Sequence, residues 1–190
     1  MNDKKMKLSG FVATFILCIM VSSSISAGEV IRSDEALKLL KEGNARFVEM
    51  KLRHPDETIK QREETAVNGQ APFAAVLACS DSRVPVEAIF DRGIGDIFVV
   101  RVAGNIVMDN DVIGSIEYAV EHLHTPLLVI MWHTGCGAVK AAVDDSAVEG
   151  KILDIQKQIR PVALKTKEEH PELSGPDLVN AVAKNNALQA

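Results

Sequence analysis

Two short stretches carry side chains of the kind that do chemistry. At residues 77–87 the chain reads LACSDSRVPVE, which sets a thiol, a carboxylate and a guanidinium at alternate positions, Cys79, Asp81 and Arg83, directly after an apolar run. At 131–139 it reads MWHTGCGAV, with His133 three residues before Cys136. Two sulfurs and one imidazole around a point suit Zn²⁺, whose bonds run about 2.3 Å to sulfur and about 2.0–2.1 Å to nitrogen. Three protein ligands leave a fourth position open, which marks a catalytic rather than a structural zinc site. His-x-x-Cys alone specifies little. Joined to Cys-x-Asp-x-Arg at the end of another apolar run, it specifies a great deal.

For these groups to meet, the chain must bring two strand ends together. The runs at 73–78, 96–102 and 126–132 are apolar without alternation. That suits strands covered on both faces, as in a parallel sheet. Helical patterns at 86–91 and 110–123 lie between them, and another at 137–148 follows the third. The alternation predicts an α/β fold, a Rossmann-like parallel β-sheet flanked by helices, in a single domain. In open α/β sheets the working residues collect at the carboxyl ends of strands, where strand order switches. If the first and third strands are neighbours, their ends lie about 4.8 Å apart, and Cys79, His133 and Cys136 converge. Other elements frame this core. Residues 33–50 read as a helix, with Ser33 and Asp34 as caps and Leu37, Leu40 and Phe47 on one face. Residues 50–70 read as a polar connector with a short helix. Residues 152–169 read as a helix interrupted at Pro161, and 175–190 as a last helix without a cap. Gly104 and Asn105 suit a turn beside the site. Gly93, Gly95 and the glycines around Cys136 lack the strand–GxGxxG–helix spacing of a dinucleotide site.

Composition narrows the class. The 190 residues are 47% hydrophobic and 25% charged, with a formal net charge of −5. No basic block follows residue 10, which argues against a nucleic-acid partner. The N-terminus has Lys4, Lys5 and Lys7, then an apolar stretch at 11–21 and small residues at 22–27. This is the layout of a secretory signal peptide over 1–27. The apolar stretch is too short for a bilayer span, which needs about 20 residues. The expectation is therefore export to the periplasm or medium, with no stable membrane anchor after cleavage and a mature domain over 28–190. Cleavage removes three lysines, one aspartate and Cys18, and leaves a net charge of −7. In an oxidising compartment, Cys79 and Cys136 could instead form a disulfide. That reading leaves Asp81, Arg83 and His133 without a role. Taken singly, His133 reads as a core histidine and Asp81–Arg83 as an ion pair at a strand end.

ACSDSRVPVE, RVAGN at 101–105, SIEYAV at 115–120 and HTGCGAV at 133–139 together resemble the β-class carbonic anhydrases, and 36–48 is similar to that family's N-terminal helix. The resemblance implies Cys79, His133 and Cys136 as zinc ligands, with Asp81 and Arg83 as a carboxylate–guanidinium dyad. It implies reversible hydration of CO₂ to bicarbonate and a proton by zinc-bound hydroxide. Asp81 would orient the nucleophile, or in a closed state become a fourth ligand. Two thiolates cancel the formal charge of Zn²⁺, so hydration should rise with pH to a plateau above neutrality. A homodimer or higher homo-oligomer is implied, with the N-terminal helix across the interface. Two features depart from the family pattern. Trp132 stands where a small residue is usual, and the family's further helix, edge strand and tail are not present after 190. The alternatives these raise are a catalytically weak zinc-binding remnant and a zinc hydrolase of CS₂ or COS. His54, His122, His124 and His170 are assigned no role.

Overall fold

The computed structural model describes residues 31–107 and 110–190. The leader expected at 1–27 lies outside the described residues. The element order is α1 (Ser33–Val48), α2 (Ile59–Asn68), β1 (Ala74–Ala78), α3 (Val86–Ile89), β2 (Ile97–Arg101), a 3₁₀ turn (Ala103–Asn105), α4 (Asn110–Glu117) continued by a π turn (Tyr118–His122), β3 (Leu128–Ile130), α5 (Gly137–Val143), α6 (Ile152–Glu169) and α7 (Gly175–Gln189). Among the described residues the sheet is three-stranded and parallel, in the order β2-β1-β3. The first and third strands are thus neighbours, as convergence of the cysteines and His133 requires.

β1 reads AAVLA and is buried along its whole length. Its small residues let helices approach both faces, while Val76 and Leu77, at most 1% exposed, each contribute about 2 kcal/mol of burial. The two-sided coverage expected for all three strands holds only for β1. β2 is partly exposed and Leu128 of β3 is 40% exposed. The reason is position: β1 is flanked by a strand on each side, whereas β2 and β3 are sheet edges.

α1 lies against the α3 region. Its buried stripe is Ala36, Leu40 and Gly43, at spacings of four and three on one helix face. Leu37, expected on that face, is 39% exposed. The stripe is narrow because the approach is close: a Cβ at Gly43 would sit 1.6 Å from the Phe90 carbonyl oxygen. The caps expected from Ser33 and Asp34 are not made. The N-cap is Arg32, without a side-chain bond. Ser33 and Asp34 lie inside the first turn, where Asp34 still favours the helix dipole.

α6 runs unbroken through Pro161, contrary to the interruption expected. Proline costs about 3 kcal/mol in a helix interior. Burial of Ile159, Val162, Ala163 and Thr166 in the α5–α6–α7 layer outweighs that cost. The same layer forms one apolar cluster with Cys79 and Cys136, so the thiols are set in a packed wall. Among the described residues no helix is long and apolar enough to cross a membrane.

Candidate metal centre

Register explains how the ligands meet. Leu77 of β1 pairs with Ile130 of β3, so Cys79 and Trp132 lie at the same level beyond the sheet, and His133 follows. The chain then turns through Thr134 and Gly135, and Cys136 becomes the N-cap of α5. On the other side, Ala78 pairs with Arg101, which brings that guanidinium level with the exit of β1.

Ligand atoms of Cys79, His133 and Cys136 all lie within 4.8 Å of one another. The two Sγ atoms are 3.9 Å apart, and both thiols are free and buried. A disulfide needs about 2.05 Å, so the sulfurs are not bonded. Two sulfurs on one tetrahedral ion at bond lengths of about 2.3 Å would be about 3.8 Å apart, close to the spacing found. His133 presents a second sign. Its Nδ1 is 3.0 Å from the Thr134 carbonyl oxygen, while its buried Nε2 has no hydrogen-bond partner among the described residues. A buried polar atom without a partner costs about 1–3 kcal/mol. A soft cation between the sulfurs and this nitrogen would satisfy all three, so the donor set fits Zn²⁺. The Nδ1 contact is the usual means of orienting a metal-binding imidazole.

The thiols do not titrate independently. The contact with Cys136 pulls the Cys79 thiol down, against the opposing effect of burial, with help from the Gly104 amide. The same contact, together with burial, pushes Cys136 up. The pair therefore favours sharing one proton, and a divalent cation replaces that proton as the neutralising charge. The Gly104 N–H donates to Cys79 Sγ at 3.3 Å.

Asp81 is held firmly. Arg83 grips its carboxylate through Nε to Oδ1 at 2.9 Å and Nη2 to Oδ2 at 2.7 Å, and the Arg83 amide donates to Oδ1 at 2.9 Å. The bidentate geometry is the strong form of this pair. Hydrogen bonds from Arg83 hold the carboxyl well below the usual carboxylate range. Its Oδ2 also faces the cluster, 3.8 Å from His133 Nε2. Asp81 thus stands beside the three-ligand group and is not part of it.

The sequence reading gave Arg101 no role, yet it staples the β1 exit. Its Nε donates to the Cys79 carbonyl at 3.1 Å and its Nη2 to the Asp81 carbonyl at 2.6 Å. Its place at the carboxyl end of a strand beside the Cys79 strand end is the signal that could have found it. The turn expected at Gly104–Asn105 is present. Gly104 has φ of 72°, and a Cβ there would meet Ile159 Cδ1 at 2.8 Å. His54 and His170 pair with Glu57 and Glu172, each at 3.3 Å, away from the cluster. Trp132 is 37% exposed.

Comparison with known proteins agrees with this geometry. A family described as carbonic anhydrase matches residues 74–190. Carbonic anhydrase 2 of Mycobacterium tuberculosis is 46% identical over 133 residues, covering 68% of this chain and 63% of that protein. The carbonic anhydrase of Mycolicibacterium smegmatis is 48% identical over 133 residues, covering 68% and 64%. The chain thus spans somewhat under two thirds of the length of these relatives. Among solved structures, one of two tetrameric β-carbonic anhydrases of Sordaria macrospora superposes with a TM-score of 0.63 at 27% identity, covering 79% of this chain and 76% of that one. The β-carbonic anhydrase CafA of Aspergillus fumigatus gives 0.63 at 30% identity, covering 82% and 73%. With the same fold and sequence similarity across its sheet, cluster and last helices, the chain belongs to the carbonic anhydrase family, in its β-class.

Proposed function

We propose that the chain is a zinc enzyme that interconverts CO₂ and bicarbonate. The observation that carries this reading is the cluster itself: two free buried thiols and an unpartnered imidazole nitrogen within 4.8 Å, beside a carboxylate held by arginine. Cys79, Cys136 and His133 Nε2 would hold the ion. Bound there, Zn²⁺ would supply Lewis acidity and make water a stronger nucleophile by lowering its pKa.

The remaining steps fall to this chain's own residues. Asp81, ionised and aimed by Arg83, accepts a hydrogen of the attacking water at Oδ2 and turns its lone pair toward the CO₂ carbon. Arg83 fixes that direction, and its Nη2 also donates to the Gly135 carbonyl at 3.2 Å, tying the dyad to the His133–Cys136 loop. Orientation of this kind lowers the barrier because the reacting atoms need no search. Arg101 holds the backbone that carries both Cys79 and Asp81.

The assembly we propose is a homo-oligomer, supported by the tetrameric relative and by the exposed Tyr118, Val120 and Leu128. We also propose export, supported by the composition of residues 1–27; an N-terminal sequence of the mature protein beginning near residue 28 is the expected result. The enzymatic reading is tested by zinc content and CO₂ hydration of the purified chain, with Cys79→Ser as control. About one zinc per chain with hydration lost in the control is expected. Full hydration in a zinc-free sample would overturn it.

A further inference from the structure

Helix α7 carries two asparagines whose amides reach opposite sides of the cluster. Asn186 is 7% exposed, and its Nδ2 donates to the Gly104 carbonyl at 2.9 Å in a buried bond. The Gly104 N–H in turn donates to Cys79 Sγ. Asn180 works the other way round: its Oδ1 accepts from the Gly135 N–H at 2.9 Å. Gly135 lies between His133 and Cys136 and also takes the bond from Arg83. The two asparagines stand six residues apart, about 9 Å along a helix, so one rigid rod spans both loops. That rod is itself anchored by buried Leu178, Val179, Val182 and Ala183. Asparagine is a poor helix former, and a buried amide needs partners. These bonds give both side chains a reason to be there.

We infer that Asn180 and Asn186 are positioning residues of the metal centre, one helix clamping the Gly104 turn against the Cys79 sulfur and the Gly135 turn between the other two ligands. The inference rests on the zinc reading above. Neither residue is a ligand; each acts through a backbone group next to one.

Because the two amides work in opposite senses, one substitution separates them. Asn180→Asp keeps the accepting oxygen and should retain zinc like the unaltered chain, whereas Asn180→Leu should not. Asn186→Asp removes the donor and should fail like Asn186→Leu. Zn²⁺ affinity is read by chelator competition, and the thiolate-to-metal absorption of the Co²⁺-loaded protein supplies a spectroscopic signature. The failing variants should lose about 10-fold or more in zinc affinity, the usual cost of removing a partner behind a ligand, with a shifted cobalt band. Asn185→Leu is the control. Asn185 sits on the same helix but, among the described residues, its side chain bonds only to Thr166 Oγ1, so its loss should lower Tm and leave affinity and spectrum unchanged. Equal affinity in Asn186→Leu and the unaltered chain, or equal loss in Asn185→Leu, would overturn the inference. Should the Asn186 variants not fold, the half-buried Asn180 pair decides alone. Amide exchange at Gly104 and Gly135 in metal-free protein separates the two claims. Faster exchange in the variants of a chain that takes up no zinc would overturn the zinc reading and support the clamp.

Discussion

Two aspartates in this molecule face an arginine, and they do different work. Asp91 is 2% exposed. Arg46 donates to it through Nε at 2.5 Å, and the backbone amides of Arg53 and His54 also donate, at 3.0–3.1 Å. Both its oxygens are fully engaged. The result is a knot joining α1, the connector and the end of α3, reinforced by Asn44 Nδ2 on the Ile89 carbonyl. Asp81 is bound as tightly by Arg83, but its guanidinium partner is 64% exposed and its Oδ2 looks onto the unpartnered nitrogen of His133. A carboxylate whose every lone pair is spent inside the fold stabilises. One that is aimed but left facing an open site is available for chemistry.

The contrast yields predictions that descend in size. Cys136→Ser or His133→Ala should abolish stoichiometric zinc and reduce hydration by on the order of 10³-fold or more, since loss of one of three ligands breaks the site. Asp91→Asn should leave zinc content untouched, as measured by elemental analysis of both proteins side by side. Asp81→Asn should keep zinc but lower hydration by about 10²–10³-fold, the scale of a lost proton acceptor, with Tm almost unmoved. Asp91→Asn should do the reverse, costing about 3 kcal/mol in urea unfolding, as expected when a buried pair loses one partner, while turnover per folded molecule is kept. Equal effects from the two substitutions would erase the distinction between the aspartates.

The pH dependence of stability sharpens it further. Burial pushes the Asp91 carboxyl up, but Arg46 and the Arg53 and His54 amides prevail and set it below the ordinary value. A carboxyl depressed in the folded state stabilises fully above its unfolded pKa of about 3.9. That contribution is lost as pH falls through the lower folded value. Urea midpoints between about pH 2 and pH 5 should therefore fall more steeply for the unaltered chain than for Asp91→Asn. The smallest effect expected is from Arg83→Lys, which keeps the charge but loses the two-pronged grip. It should lower hydration by about 10-fold and leave the urea midpoint in place.

Local spacing made most of the centre legible. The apolar run ahead of Cys79 and the run ahead of His133 each end where ligands begin, and parallel register places those ends together. What could not be read lies in contacts between distant segments. Neither the close fit of Gly43 on Phe90 nor the reach of Arg101 to two carbonyls leaves a periodic trace in the sequence. Asp91 reads as the end of a helical pattern until its partners, 37 to 45 residues away in the chain, are seen around its buried carboxylate. Pro161 misled because local propensity argues for a break, whereas the stability of α6 comes from the layer it packs into. The apolar runs of β2 and β3 look doubly covered because hydropathy registers side-chain character and cannot distinguish a central strand from an edge.

The central claim is that two sulfurs and one nitrogen share a single ion. X-ray absorption at the zinc edge of the purified, active chain tests it most directly. The account predicts two sulfur scatterers at about 2.3 Å and at least one nitrogen or oxygen at about 2.0 Å. An active sample whose zinc shell holds only light atoms, or whose Cys79 and Cys136 are joined as a disulfide, would contradict it.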